Sequence, residues 1–140
     1  MKNIGNQWFT LHKNSIEWIA ELEFMKDEQV FLEHLLSSHF IDLSTERLYD
    51  TTRKLISKLK EVEHLGDDLT DEIQVYHKKI AKLLENDIKS PEDRLEKRHL
   101  MIEKDFESYV LKFKYVKKKI FGIVKEILAH HKQKLLLNKT

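Results

Sequence analysis

The sequence predicts an all-α fold, a single antiparallel bundle of three long helices over residues 1–140. Three observations carry that prediction. The 140 residues contain only three Gly and one Pro, so turns are few and the elements between them must be long. Charged residues make up 35% and apolar residues 41%, which is too apolar for disorder and rich in the Lys, Glu, Leu and Ile that favour helix. Apolar side chains recur at alternating steps of three and four along almost the whole chain, the spacing of a helix face packed in a coiled-coil-like bundle.

Punctuation divides the chain. Ser90-Pro91-Glu92-Asp93 reads as a helix start, with Ser as the N-cap, Pro at the first helical position and acids in the first turn. Asp42-Leu43-Ser44-Thr45-Glu46 reads as another, capped by Asp42 or Ser44. The first piece, about residues 4–40, carries the stripe Ile4, Trp8, Leu11, Ser15, Trp18, Leu22, Met25, Gln29, Leu32, Leu36, His39. Gly5-Asn6 and Asn14-Ser15 are places where it would fray or break.

The second piece, about 44–88, runs Leu48, Thr52, Leu55, Leu59, Val62, Gly66, Leu69, Ile73, Tyr76, Ile80, Leu83. Its phase survives Gly66, whose presence in a helix costs only about 1 kcal/mol. A continuous helix is therefore the primary reading, and a four-helix chain broken at Gly66 the alternative. The third piece, about 91–136, runs Leu95, His99, Ile102, Phe106, Tyr109, Phe113, Val116, Ile120, Ile123, Ile127, His130.

Short connections make sequential helices antiparallel neighbours. Counting back from the first turn sets Trp18 level with Gly66, a large indole facing a missing side chain. Counting from the second sets Trp8, Tyr76 and Ile102 near one level. The same topology brings acidic and basic segments together. Residues 15–46 hold eight acids against Lys26, and residues 108–140 hold nine lysines against Glu126.

The chemistry-bearing patterns are sparse. Glu61-x-x-His64 and Glu96-x-x-His99 each put a carboxylate and an imidazole on one helix face, the ligand pattern of di-metal helical bundles. The topology separates the two motifs by about 20 Å along the axis, too far for a shared centre. His39, His130 and His131 fall near one end of the bundle, where imidazoles suit Zn²⁺ and are equally at home in a wet end layer. Lys112, Lys114, Lys117, Lys118, Lys119 and Lys125 interleave with aromatic residues, but no nucleic-acid recognition motif accompanies them. Screening by the acidic first helix makes nucleic-acid binding an unexpected role.

There is no cysteine, glycine-rich phosphate loop or Gly-x-Ser-x-Gly nucleophile elbow. No enzymatic activity and no cofactor are expected. No uninterrupted apolar run of about 18 residues is present, so no transmembrane segment is expected, and the reading is cytoplasmic.

The most informative feature is an excess of apolar surface. Beyond its core stripe the first helix carries Phe9, Ile16, Ile19, Phe24, Val30 and Phe31, and the third adds Phe121, Val124, Leu128 and Leu135. A three-helix monomer needs one stripe per helix. Phe9, Ile16, Val30, Phe31, Phe121, Val124 and Leu128 are therefore the expected interface, for a homodimer or another protein partner.

The run Glu-Trp-Ile-Ala-Glu-Leu-Glu-Phe-Met-Lys-Asp-Glu at 17–28 resembles the opening helix of small helical proteins of unassigned function from Bacteroidetes-type bacteria. In those proteins two further long helices with scattered His follow, as His64, His77 and His99 do here. The resemblance implies a bacterial cytosolic helical protein and transfers no activity or site. The expected role is that of a non-enzymatic interaction or scaffold protein, with a Glu/His metal-binding bundle as the alternative.

Overall fold

A computed structural model describes residues 4–45, 47–85 and 93–138. Among them are four helices: α1 (Ile4–Ser38), the single turn α2 (Phe40–Leu43), α3 (Tyr49–Glu85) and α4 (Asp93–Asn138). The three long helices run up, down and up, so α1 and α4 are parallel and α3 is antiparallel to both. α1 passes through Asn14-Ser15 and α3 through Gly66 without a break. The fourth helix is thus the α2 turn rather than half of a divided α3. The expected Ser90-Pro91 start lies outside the described residues, and α4 is helical from Asp93.

The three stripes form one core. From α1 come Leu11, Trp18, Leu22, Met25, Leu32 and Leu36; from α3 Leu55, Leu59, Val62, Leu69, Ile73, Tyr76 and Ile80; from α4 Ile102, Phe106, Tyr109, Phe113, Val116, Ile120 and Ile127. Each is buried because steps of three and four keep one face of a helix toward its neighbours. Leu43 of α2 plugs one end at 1% exposure.

The axial register differs from the expected one. The first connection is not a tight turn at Asp42-Ser44 but extends from His39 to Leu48, with α2 inside it, and α3 starts at Tyr49. The longer connection slides α3 along α1. Lys26 meets Asp67 at 3.3 Å and Ser15 meets His77 at 2.7 Å. Trp18 therefore does not face Gly66. It lies against His99 and Phe106, with ring centroids 4.8 and 6.1 Å away.

Gly66 faces Tyr109 instead. A Cβ built on Gly66 would stand 2.8 Å from the Tyr109 hydroxyl oxygen and 3.1 Å from its ring. The missing side chain makes room for the Tyr109 phenol of α4, not for the Trp18 indole of α1 that the sequence suggested. The level of Tyr76 is occupied by His99, its hydrogen-bond partner at 2.8 Å. The expected neighbour Trp8 has a side chain outside the described set.

Charge complementarity between α1 and α4 appears as the ion pair of Glu28 with Lys117. Arg47 pairs with Glu126 and Arg98 with Glu72, tying α4 to the elements on its other side. These pairs are partly exposed and individually contribute about 1 kcal/mol or less. They select the arrangement more than they stabilise it.

Candidate functional site

Two features stand out against the aliphatic core: a polar layer across the bundle, and an apolar seam outside it.

The polar layer lies between the first half of α1, the last half of α3 and the start of α4. Ser15 is fully buried at a core-phase position. Its hydroxyl donates to the His12 carbonyl at 2.7 Å and accepts from His77 Nδ1 at 2.7 Å. The His77 ring in turn stacks on His12, centroids 4.6 Å apart. One turn away, His99 is sandwiched against Trp18 and Tyr76. The Asn14 amide donates to His99 Nε2 at 3.2 Å, which places the neutral ring's proton on Nδ1, donated to the Tyr76 hydroxyl at 2.8 Å.

The electrostatics follow from the geometry. Burial lowers the pKa of His99 below the usual histidine range, against a smaller upward pull from Glu103. Burial also lowers that of His77, and the neighbouring His12 adds to the effect. Burial raises the Tyr76 hydroxyl well above an ordinary phenol. A second proton on His99 Nε2 would set two donors against each other at Asn14. Burial thus favours the neutral forms of His77 and His99, and the layer's donors and acceptors are used internally rather than presented to a ligand.

Further along the bundle, Gln29 donates to the buried Tyr109 hydroxyl at 2.6 Å. Beside it on the α1–α3 seam Glu63 is pushed up to about 7, first by burial and then by its hydrogen bond and repulsion with Glu33.

The expected metal ligands do not converge. Gly66, two residues past His64, is level with Tyr109, ten residues beyond His99 and about 15 Å along the helix. His64 and Glu61 are exposed, whereas His99 is buried with both nitrogens engaged. At the α2 end His39 is half-buried and His130 is exposed despite its core-phase spacing, because α4 there has run beyond the ends of the long helices α1 and α3. His131 stands 3.1 Å from Asp42 in an exposed pair. Among the described residues no group of three or more His, Asp or Glu side chains is placed to hold a metal ion.

The apolar seam departs from expectation in two ways. Val124 is 4% exposed and belongs to the core. It sits one residue past core Ile123, on the side of α4 that turns inward toward α1. The other interface candidates are exposed but fall into two rows. Phe9, Ile16 and Val30 are spaced by sevens and fourteens and lie on the outer flank of α1 nearer α3. Phe24 and Phe31, seven apart, lie on the flank nearer α4, where Phe31 meets Phe121 with centroids 6.5 Å apart. Adjacent Val30 and Phe31 point about 100° apart on the helix and cannot share one flat patch.

The continuous surface is therefore the α1–α4 seam of Phe24, Phe31, Phe121 and Leu128, which are 66%, 54%, 40% and 54% exposed. Leu135 extends its α4 row by another heptad. Acids Glu17, Glu21 and Asp27 lie on the α1 side of this seam and Lys114, Lys118 and Lys125 on the α4 side.

Sequence reasoning found Ser15 and His99 as polar members of core stripes but did not connect them. Asn14, His12 and His77 were missed as their partners. The available signal was adjacency: each stands beside a core-phase residue or one turn from it, at positions that flank a helix seam. No helix among the described residues is long and apolar enough to cross a membrane. No protein-family model, curated protein or solved structure matches the chain.

Proposed function

We propose that the protein is a non-enzymatic interaction protein that pairs with a second copy of itself through the α1–α4 seam. The observation that carries this reading is the contact of Phe31 with Phe121, which joins the surplus apolar residues of two helices into one exposed strip. Each half-exposed large side chain in the strip forgoes about 1 kcal/mol or more of burial. The flanking charges favour a second copy as the occupant. A two-fold axis parallel to the bundle lays the acidic margin of α1 on the lysine margin of the partner's α4, twice over, with the apolar strips in the centre. An axis across the bundle would instead lay acid on acid. The expected location is the cytoplasm.

Sedimentation equilibrium at tens of micromolar tests the reading. The wild type is expected at twice the 16.8 kDa chain mass. Phe31→Glu combined with Phe121→Glu is expected to sediment as a monomer with its helical circular dichroism intact. A wild type that stays monomeric at that concentration overturns self-pairing. A dimer unaffected by the double substitution moves the interface to the Phe9, Ile16 and Val30 row.

A further inference from the structure

In the groove between α3 and α4, near their connected ends, lies a half-open cleft of about 460 Å³. Its walls combine two properties. Lys79 of α3 and Arg94, Lys97 and Arg98 of α4 supply four cationic side chains. Val75 and Met101 add apolar surface that is 53% and 59% exposed. Among the described residues no carboxylate lines the cleft. Among the described residues Arg98 is the one of the four cations that forms an ion pair, with Glu72 at 3.4 Å.

Arg94 and Arg98 are one helical turn apart on the same face, so their charges repel, and Lys97 beside them increases the repulsion. Such a cluster between low-dielectric walls concentrates positive potential in the cleft. The base is firm: Tyr76 lines it while its hydroxyl is held by His99 in the polar layer. The lining divides evenly between four cationic side chains and the apolar or aromatic Val75, Tyr76, Leu95 and Met101, so the cleft offers both a charged and an apolar surface to one ligand.

The geometry points to a binding site for an anionic amphiphile, a phosphate or carboxylate head on a single short alkyl chain. The head is held by Arg94, Lys97 and Lys79, and the chain covers Val75 and Met101. A guanidinium takes two oxygens of such a head in parallel hydrogen bonds, whereas the lysines act as point charges. An inorganic anion would leave the apolar wall wet, and a neutral chain would leave the cations unpaired. This inference is independent of self-pairing, since the cleft and the α1–α4 seam share no residue.

The test is calorimetric titration of the full chain with octyl phosphate, inorganic phosphate and octanol at physiological salt. Octyl phosphate is expected to bind saturably with a Kd of tens of micromolar and about tenfold or more tighter than either control. Arg94→Glu with Lys97→Glu is expected to weaken it by at least about tenfold with unchanged thermal melting. Should the double variant fold poorly, Val75→Glu, at an exposed position, tests the same cleft. Equal binding of inorganic phosphate would overturn the amphiphile assignment. Octyl phosphate binding that survives both sets of substitutions would place the ligand elsewhere and overturn the site. Absence of saturation by millimolar ligand would also overturn it. Vesicles with anionic lipid, tested beside neutral ones, distinguish a lipid head group from a free amphiphile as the source of the same chemistry.

Discussion

The two ends of the bundle use the same helical spacing to build different interiors. Toward the α2 end, Leu32, Leu36, Leu43, Leu55, Leu59, Val116, Ile120, Ile123, Val124 and Ile127 form an almost wholly aliphatic core. Toward the other end, core-phase positions hold Ser15, Tyr76 and His99, with Asn14 and His77 closing the hydrogen bonds. Aliphatic side chains fill space without directional demands. The polar layer is satisfied in one register only, because sliding α3 along α1 would part Ser15 from His77. The comparison teaches that burial stabilises the bundle along its whole length, since Ile73, Ile80 and Ile102 are also fully buried, while the hydrogen bonding that specifies alignment gathers at the polar end.

The largest expected effect tests the aliphatic end. Leu32 is 0% exposed. Leu32→Ala should cost about 2–5 kcal/mol, the sum of lost burial and the cavity left behind, measurable as a lower urea midpoint at unchanged slope. A loss below about 1 kcal/mol would mean that this end collapses easily and that the contrast between the two ends is overstated.

Between the ends, Gly66→Ala drives a methyl group into the Tyr109 ring, which Gln29 holds by its hydroxyl. About 1–3 kcal/mol of destabilisation is expected from overpacking, more than the gain from replacing a helical Gly. A clear gain in stability would show that Tyr109 has room to swing away and that the Gln29 contact does not hold it.

The polar layer and Glu63, which lies between the ends, should respond oppositely to pH. His77 and His99 have native pKa values below the ordinary 6.5. Their contribution is present above pH 6.5 and is lost as the pH falls from there through the depressed native values. Glu63 is raised from 4.5 to about 7. Its contribution is complete below pH 4.5 and is lost as the pH rises through 7. Urea titrations at pH 5 and pH 8 should separate them. Glu63→Gln should remove the loss on the alkaline side only. If it leaves the pH 8 to pH 5 ratio of midpoints unchanged, the surroundings of Glu63 do not favour its protonated form in the fold.

The smallest effect concerns an exception at the aliphatic end. Thr52 is buried, and its Oγ1 is the one buried side-chain polar atom without a hydrogen-bond partner among the described residues. Thr52→Val keeps the shape and removes the unpaired hydroxyl. A gain of about 1 kcal/mol is expected in thermal or chemical melting.

Much of this was legible in the sequence. The three stripes named the core almost residue by residue, because steps of three and four allow a helix only one inward face. Continuity through Gly66 followed from the unbroken phase on either side. The axial alignment was not legible. Residues 40–44 looked like a short turn with Asp42 or Ser44 as a cap, and nothing local announces that Phe40–Leu43 coil into a helical turn whose Leu43 is buried.

That one connection moved Trp18 away from Gly66 and onto His99. Val124 was misjudged for a related reason. A strict stripe cannot say how far a helix rolls toward one of its two neighbours, and α4 rolls far enough to bury the residue after Ile123. The polar layer was half visible, since Ser15 and His99 interrupt the stripes, but its pairings depend on the alignment and could not be read before it.

The seam between α1 and α4 has a consequence for the order in which the molecule assembles. The α3–α4 hairpin can close on contacts as near in sequence as Tyr76 to His99, 23 residues apart. The α1–α3 hairpin can close through its own connection. The contacts of α1 with α4 span 80 residues for Gln29 to Tyr109 and 89 for Glu28 to Lys117. Neither hairpin alone can make them, because both connections must first bring their helices alongside. Phe31 therefore meets Phe121 only in a chain that has finished folding. A nascent or half-unfolded chain offers loose aromatic residues but no composite strip, so anything that recognises the strip recognises a completed molecule.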